Sequence, residues 1–219
     1  MLKFSASEEN YVKAIFHLER HGGTVSTSEL AKALRTTPAS ATDMMKKLRA
    51  KKLLHYQPYR GSRLSAGGKK LALAIIRRHR LWELFLAEKL NFTWDEVHEV
   101  AEQLEHVSSG KLIDKLDEYL GFPKVDPHGD PIPDRSGRMT SSREICLRDL
   151  PEHKPARVSH VNSQSTPVLG FLKERKIFIG ARLEVRRRFA FDNSIEIKPR
   201  NFPAFTISGQ VAEKIFVQT

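Results

Sequence analysis

A nine-residue stretch from His98 to His106 combines side chains that can bind a metal ion with aliphatic residues. It reads HEVAEQLEH and contains two histidines and three glutamates. On a helix, residues four and seven or eight positions apart share a face, and this spacing places His98, Glu102, Glu105 and His106 on one stripe. The adjacent stripe is aliphatic, so we expect the polar groups to lie beside the face by which this helix packs.

A second pair with the same spacing precedes this stretch. His79 and Glu83 stand four residues apart in an apolar helical segment. If the two helices pack antiparallel, their six nitrogen and oxygen ligands converge. Imidazole and carboxylate ligands suit divalent Mn, Fe, Co, Ni or Zn, and a carboxylate-rich set favours Mn(II). The alternative is a pair of solvated faces on which Arg77, Arg78 and Arg80 neutralise the acids.

The elements before these helices have the order of a winged helix-turn-helix. Helical spacing over residues 7–20 ends at two glycines, and Thr27 is predicted to cap a second helix. Thr37 followed by Pro38 predicts the start of a third helix. The stretch LLHYQPYRGSRLS at residues 53–65 then predicts a short hairpin.

In such a module the second helix of the pair enters the DNA major groove and the hairpin lies beside the backbone. Small hydroxyl side chains suit close approach to base edges, and lysine and arginine neutralise phosphates. An ordinary solvated helix surface is the alternative reading of this face. The predicted DNA-contacting residues are Thr27, Thr37, Ser40, Thr42, Asp43, Lys46, Lys47, Arg60 and Arg63.

The remainder of the chain divides into a helical block and a β-rich tail. Helical patterns cover residues 66–90, 94–107 and 110–120, and the breadth of the apolar surface on the first of them suggests dimerisation. A proline- and glycine-rich loop follows. Beyond Glu144, five short alternating runs predict a small β-barrel, with one helical pattern at TPVLGFLKERK.

Composition restricts the class of protein. The 219 residues carry a formal net charge of +11, which favours a polyanionic partner such as nucleic acid or an anionic membrane surface. The single cysteine, Cys146, excludes an intramolecular disulfide and a cysteine-based zinc cluster. Neither a membrane span nor the apolar core of a signal peptide is evident, so we expect a cytoplasmic protein.

Several motifs resemble, in order, one family of regulators. They are SEENYVKAIFHLE, TTPASATDMMKKL, YRGSRLSAGGKKLA, IIRRHRLWELFL, VHEVAEQLEHVSS and FPKVDPHGDPIP. The chain is similar over nearly its whole length to the diphtheria toxin repressor family of metal-dependent transcriptional regulators, also called the iron-dependent repressor and manganese transport regulator family. The resemblance implies homodimers that bind palindromic operators when loaded with Fe(II) or Mn(II) and mostly repress metal-uptake genes.

The resemblance also implies two metal sites. The manganese-type site corresponds to His79, Glu102, Glu105 and His106, and the iron-type ancillary site to His79, Glu83 and His98. A glutamate at position 102 marks manganese regulators, whereas iron regulators have cysteine there.

Two positions on the first helix depart from the family's pattern. Manganese members have Asp where this chain has Asn10, and Glu where it has Lys13. Asn10 is kept as a ligand through its amide oxygen. Lys13 is a cation, and the two-metal cluster of manganese regulators is therefore in question. The tail also lacks an evident glutamate for the ancillary site, with Gln164 as the available substitute.

The sequence thus predicts a mainly α protein with an N-terminal winged helix-turn-helix, a helical dimerisation and metal-binding domain, and a C-terminal SH3-like β-barrel. The expected bounds are 1–74, 75–140, a linker at 141–150, and 151–219. The predicted function is a metal-activated repressor with Mn(II) first and Fe(II) second as the metal. Its expected partners are double-stranded operator DNA and a second copy of the chain, with no membrane and no small-molecule substrate besides the metal ion.

Two other functions compete with the repressor. A metal-independent winged-helix regulator would use the acidic stripe only as a dimer surface. A metallohydrolase is disfavoured because the chain has no HExxH motif, serine elbow or phosphate-binding loop. We therefore expect no enzymatic activity.

Overall fold

The computed structural model describes residues 4–19, 23–57, 61–139, 143–163 and 165–219. Two compact units are present. The first contains the described residues up to His79 together with Leu104–Ser108 and Pro133–Arg138. The second contains Arg80–Gln103, Ser109–Ile132 and the described residues from Met139 onward.

The first unit is a winged helix-turn-helix. Its helices are α1 (Ala6–Glu19), α2 (Thr27–Ala33), α3 (Pro38–Ala50) and the first half of α4 (Ala66–Leu90). Strands β1 (Leu54–Gln57) and β2 (Gly61–Leu64) pair antiparallel and form the wing, as predicted. Apolar side chains at helical spacing close its core, including Val12, Ile15, Leu30, Leu48 and Ile75.

The caps of the two central helices decide where α2 and α3 begin. The prediction for α3 is confirmed, because Thr37 accepts a hydrogen bond from the Ser40 backbone and Pro38 is the first helical residue. The prediction for α2 is wrong by one residue. Ser26 is the N-cap, and it forms a reciprocal capping box with Glu29, whereas Thr27 is already helical.

The helical part of the second unit contains the second half of α4, α5 (Val97–Leu104) and α6 (Gly110–Tyr119). Buried side chains of α4 and α6 form its small core together with Ile132. Helix α5 is shorter than the predicted span of 94–107. Glu105 and His106 therefore lie in the turn after α5 and not on its helical face.

The C-terminal part is a single antiparallel sheet. Its strands are β3 (Ile145–Cys146), β4 (Ala156–Val161), β5 (Arg182–Arg188), β6 (Ile195–Pro199), β7 (Phe205–Ile207) and β8 (Ile215–Gln218), in the spatial order β3-β8-β4-β5-β6-β7. The five predicted strands are present, and the two-residue β3 was missed. Helix α7 (Thr166–Glu174) matches the predicted helical pattern, and α8 (Gly209–Ala212) precedes β8.

The expected closed barrel is not found among the described strands. The sheet has two edges, β3 and β7, because these strands pair on one side only. Helices α7 and α8 and the short 3-10 turn Leu147–Asp149 share one apolar core with the sheet, which includes Leu150, Leu169, Leu172, Ile177 and Ile197. The description as mainly α therefore holds for the first 120 residues, while the last third is β-rich. None of the described helices has the length and apolar character needed to cross a membrane.

Candidate functional site

The first unit contains a largely buried group of charged side chains, which we call the Glu105 cluster: Glu9, Lys13, Arg78, His79, Glu105 and His106. Glu105 is fully buried. The Lys13 ammonium group donates to both of its carboxylate oxygens, at 2.7 and 2.8 Å. Nδ1 of His79 lies 2.6 Å from Glu105 Oε2.

A second carboxylate of this cluster belongs to Glu9. One Glu9 oxygen accepts a hydrogen bond from Arg78 at 2.8 Å, and the other lies 2.7 Å from Nδ1 of His106. Nε of Arg78 also donates to the backbone carbonyl of Glu105 at 2.5 Å. Helix α1 is thus fastened by Lys13 and Glu9 to the segment that follows α5.

The Lys13 ammonium group and the Arg78 guanidinium group already contact the two carboxylates, Glu105 and Glu9, that a metal ion at this place would need as ligands. Burial raises the pKa of the Glu105 carboxyl, but His79 and Lys13 act in the opposite direction and leave that pKa below its ordinary value. At an effective dielectric constant of about 20, a divalent ion about 4 Å from an ammonium group would be repelled by on the order of 8 kcal/mol. The donor set present at Glu105 therefore does not fit a divalent metal ion.

The second unit contains a different group, the Glu83 cluster: Glu83, His98, Asp126 and His128. Glu83 is 2% exposed, and its two oxygens face two imidazoles. Nδ1 of His98 lies 3.2 Å from Oε1, and Nδ1 of His128 lies 3.9 Å from Oε2. Ligand atoms of Glu83, Asp126 and His128 all lie within 4.8 Å of one another, and all three residues are buried.

The hydrogen bonds of His128 prepare its second nitrogen for a ligand. Nε2 of His128 lies 2.8 Å from the backbone carbonyl of Trp94, and a carbonyl oxygen can only accept. Nε2 therefore carries the proton, and in the neutral ring Nδ1 presents a lone pair toward Glu83. Metal-binding histidines typically donate their other N–H in this way. The Trp94 ring stacks on the imidazole, with centroids 5.9 Å apart.

Electrostatics in the Glu83 cluster favour a bound cation. Burial, Glu83 and Asp130 raise the pKa of Asp126 well above its ordinary value, and they outweigh the Arg80 guanidinium group, which lies 3.4 Å from Asp126 Oδ2 and acts in the opposite direction. Burial lowers the pKa of His98, but Glu102 and Glu83 outweigh it and raise this pKa to about 9. Carboxylates crowded in a buried site raise one another's pKa values, and a divalent cation relieves that repulsion. The ligand types of Glu83, Asp126 and His128, with His98 on the other oxygen of Glu83, therefore suit a divalent transition metal.

A tight turn positions Asp126 and His128. One Asp126 oxygen accepts hydrogen bonds from the backbone N–H groups of His128 at 2.8 Å and Asp130 at 3.0 Å. Gly129 adopts φ +86°, and a Cβ at this position would lie 1.9 Å from the Ser159 carbonyl oxygen. The DPHGD sequence thus combines an Asx-type turn with a glycine that no other residue can replace without strain.

The predicted stripe divides between the two clusters. Glu105 and His106 of the stripe lie in the Glu105 cluster, whereas His98 lies in the Glu83 cluster. The side chain of Glu102 is 53% exposed and pairs with His98 at 3.5 Å.

The remaining predicted ligand on the first helix and the arginines of α4 have other surroundings. Asn10 lines a cleft with Tyr11, Ser40 and Asp43 on the face of α3. Arg78 pairs at 2.8 Å with Glu9, an acid of α1 and not of the two predicted metal-binding faces. Arg80 pairs with Asp130 at 2.7 Å.

Sequence reasoning missed Glu9, Asp126 and His128. The signal for the last two was available, because the motif DPHGDPIP places an aspartate and a histidine two residues apart in a glycine turn. Their pairing with Glu83 depends on the fold. Gln164 lies outside the described residues.

The predicted DNA-contacting residues form an exposed face on α3. Ser40, Asp43, Lys46 and Lys47 are exposed, and Lys46 pairs with Asp43 at 3.1 Å. The hydroxyl of Thr42 donates to the Pro38 carbonyl.

The other predicted DNA contacts lie around this face. The hydroxyl of Thr37 caps α3, and that of Thr27 donates to the sulfur of Met45 at 3.7 Å. Arg63 on β2 is exposed, while Arg60 lies outside the described residues.

A helix-turn-helix with an exposed, basic second helix and a wing, in one chain with a buried histidine–carboxylate cluster, defines a metal-responsive DNA-binding regulator. Three family models match the chain. Residues 3–62 match the N-terminal DNA-binding domain of iron-dependent repressors, and residues 65–134 match their metal-binding and dimerisation domain. Residues 145–219 match the FeoA domain. The chain belongs to the iron-dependent repressor family, and it is a metal-dependent transcriptional repressor of that family.

Individual relatives agree with this assignment. The HTH-type transcriptional regulator MntR of Oceanobacillus iheyensis is 33% identical over 120 residues, which are 55% of this chain and 81% of the relative. The diphtheria toxin repressor of Corynebacterium glutamicum is 30% identical over 161 residues, 70% of this chain and 71% of the relative. For the iron-dependent repressor IdeR of Mycobacterium tuberculosis, the chain spans about half of the relative's length, 54%, at 32% identity.

Solved structures share the whole architecture. A manganese-dependent transcriptional repressor in complex with manganese has a TM-score of 0.88 at 30% identity, covering 96% of this chain and 98% of the other. The manganese regulator SloR has a TM-score of 0.78 at 30% identity, with coverages of 96% and 97%. ScaR with bound Cd2+ has a TM-score of 0.83 at 28% identity, with coverages of 96% and 98%.

Proposed function

We propose that this chain is a manganese-activated repressor of metal-uptake genes that binds a palindromic operator as a homodimer. The observation that carries the proposal is the Glu83 cluster, in which buried Glu83, Asp126 and His128 have ligand atoms within 4.8 Å of one another and the half-buried His98 faces the other Glu83 oxygen. Mn(II) is preferred because half of these ligands are carboxylates, and Fe(II) is the second choice. The manganese-dependent repressors among the solved structures support the same order.

Glu83, His98, Asp126 and His128 would hold the metal ion. When bound, the ion supplies the positive charge that offsets the crowded carboxylates. The chain's own residues prepare this site: Trp94 fixes the His128 tautomer, and the turn around Gly129 aims Asp126 and His128. A state in which these groups are held together binds metal better, so metal shifts the population toward it.

Dimerisation is supported by the matched dimerisation domain and by exposed apolar side chains in the second unit. Leu112 on α6 is exposed, as are Tyr119 at its end and Phe122 and Val125 in the loop that follows. Isolated exposed apolar residues are ordinary, but a group of them along one helix and its following loop is typical of an interface. Sedimentation velocity is expected to give a dimer, and substitution of Tyr119 by Asp is expected to weaken it.

Operator binding with and without metal tests the proposal. Duplex DNA would first be selected from a random library in Mn(II), and its affinity then measured by fluorescence anisotropy in Mn(II) and in chelator. We expect tighter binding in Mn(II) by roughly 5- to 150-fold, the usual range of allosteric coupling. Equal affinity in chelator would favour the metal-independent winged-helix regulator instead.

Two matched substitutions on α4 separate the metal centre from general charge effects. Glu83→Gln is expected to abolish the manganese effect, because it removes the carboxylate that faces both histidines. Glu88→Gln removes the same charge from an exposed side chain whose nearest ion pair, with Lys89, spans 3.7 Å. It is expected to behave as the unaltered protein. A manganese response that survives Glu83→Gln would contradict the assignment of this cluster.

A further inference from the structure

The Glu105 cluster contains a cation supplied by the chain itself. Lys13 is largely buried, with its side chain 14% exposed, and its ammonium group contacts both oxygens of a carboxylate that is fully buried. A two-point contact of this kind to a buried acid is more than a surface ion pair, because neither group is well solvated. Lys13 is therefore positioned as a specific partner of Glu105.

The neighbouring contacts complete the pairing of charges. Among the described residues of the cluster, two carboxylates, Glu105 and Glu9, meet two cationic side chains, Lys13 and Arg78. His79 lies at Glu105, and His106 lies between the two acids, 2.7 Å from Glu9 and 3.9 Å from Glu105. The groups that could coordinate a metal here are thus already engaged with one another and with protein cations.

We propose that Lys13 is a permanent counter-cation that takes the place of a metal ion at Glu105. It ties α1 of the DNA-binding unit to the Leu104–Ser108 segment whether or not metal is bound. The part of this inference that concerns metal stoichiometry rests on the proposed function, because it leaves the Glu83 cluster as the metal centre. The tether itself does not depend on that function.

Lys13 can take the place of a metal ion at Glu105 because its ammonium group, like a metal ion, is positively charged. An ammonium group that satisfies both oxygens of a buried carboxylate gives the stabilisation that a cation would give, and a divalent ion could bind only if Lys13 were displaced. An acid at position 13 would reverse this situation. It would leave a cluster of three carboxylates and two imidazoles, a ligand set that suits Mn(II).

Manganese stoichiometry tests the substitution of metal by lysine. Bound Mn(II) per chain would be measured by elemental analysis after equilibrium dialysis and by loss of the free-ion electron paramagnetic resonance signal. Lys13→Glu is expected to bind one Mn(II) more per chain than the unaltered protein. Lys111→Glu makes the same charge change at an exposed position of α6 and is expected to add none.

Glu105→Gln, with Lys13 retained, provides the complementary measurement of bound Mn(II) per chain. It is expected to leave the number of bound Mn(II) ions unchanged. If Glu105→Gln removes one bound Mn(II) per chain, or if Lys13→Glu folds and adds none, the proposal is overturned. If none of these proteins binds Mn(II) except Lys13→Glu, the proposed function fails while Lys13 retains its assigned role.

Hydrogen exchange in chelator tests the tether without metal. Lys13→Met leaves Glu105 without its ammonium partner, and we expect amides of α1 to exchange faster, whereas the conservative Lys13→Arg is expected to retain protection. The double variant Lys13→Met/Glu105→Gln removes both charges and should recover the folded unit if Lys13→Met alone unfolds. Unchanged α1 protection in Lys13→Met would show that the pair does not hold the helix and would overturn the proposal.

Discussion

Single side chains decide which of two similar clusters can hold a metal ion. Both clusters contain a buried glutamate with histidine nitrogens nearby. At Glu105 one partner is the Lys13 ammonium group, which contacts the carboxylate directly at 2.7 Å. At Glu83 one neighbour is the buried carboxylate of Asp126, and the Arg80 guanidinium group lies on the Asp126 side of that cluster, 3.4 Å from Asp126. The difference between a cation and an anion at one position outweighs the shared imidazoles, because charge interactions are strong where water is excluded.

His128 is the residue whose loss should separate the observed centre from the predicted stripe. We expect His128→Ala to weaken Mn(II) binding by more than about tenfold, since even partners of metal ligands are commonly worth roughly 10- to 100-fold. Glu102→Ala should have a smaller effect, because that side chain is half exposed and contacts the cluster at His98, 3.5 Å away. Titration calorimetry with Mn(II) measures both. A larger loss of Mn(II) affinity in Glu102→Ala than in His128→Ala would indicate that the predicted stripe, and not the Glu83 cluster, is the primary metal site.

Short segments between the helices and strands, and not the helices themselves, orient some charged side chains of both clusters. Helix α5 ends at Leu104, and the turn that follows places Glu105 and His106 with α1 residues. The Asp126–Asp130 turn holds two ligands of the Glu83 cluster by backbone hydrogen bonds. In both places a loop of a few residues, and not a helix face, orients the charged groups.

Gly129 is the position at which this dependence on a turn can be measured. Gly129→Ala would place a Cβ 1.9 Å from the Ser159 carbonyl oxygen at a φ of +86°. Strained backbone of this kind costs on the order of 1–3 kcal/mol, and the close contact adds to it. We expect a lower midpoint of thermal unfolding by circular dichroism, together with weaker Mn(II) binding.

Gly110→Ala is the matched control for that substitution. Gly110 begins α6, and no atom lies within 4 Å of a Cβ built there. Alanine is a better helix former than glycine, so the stability of the Gly110→Ala variant should be equal to or slightly higher than that of the unaltered protein. Equal unfolding midpoints for Gly129→Ala and Gly110→Ala would mean that the turn can move without cost.

At the scale of the whole molecule, net charge connects the DNA-binding unit to its expected partner. The chain carries a formal charge of +11, and the exposed face of α3 and the wing contribute Lys46, Lys47 and Arg63. Phosphate contacts by such residues release counterions, so affinity for DNA falls as salt increases. Association with the operator should therefore be strongly dependent on ionic strength.

The slope of that salt dependence tests the contribution of a single side chain. Lys47→Ala should weaken binding to all duplexes alike and reduce the slope of log affinity against log salt by about one, because one phosphate is no longer neutralised. Lys111→Ala, on α6, is expected to leave the slope unchanged. Anisotropy titrations at several salt concentrations measure both, and identical slopes for the two variants would exclude Lys47 from the DNA interface.

The sequence by itself determined the local elements and the family. Helical spacing, the Thr37–Pro38 start of α3 and the alternating strands are properties of neighbouring residues, so they could be recognised before any tertiary contact was known. The same holds for the charged groups, since every residue type in both clusters is visible in the chain.

The tertiary structure decided which charged groups meet. Lys13 and Glu105 are 92 positions apart, and Glu83 lies 45 positions from His128 (128 − 83), so no local periodicity relates either pair. A helical stripe extrapolated through His98, Glu102, Glu105 and His106 fails where α5 ends, because the turn after Leu104 points its residues elsewhere. Packing alone places a cation at one glutamate and two further ligands at the other, and this placement distinguishes the site that excludes metal from the site that fits it.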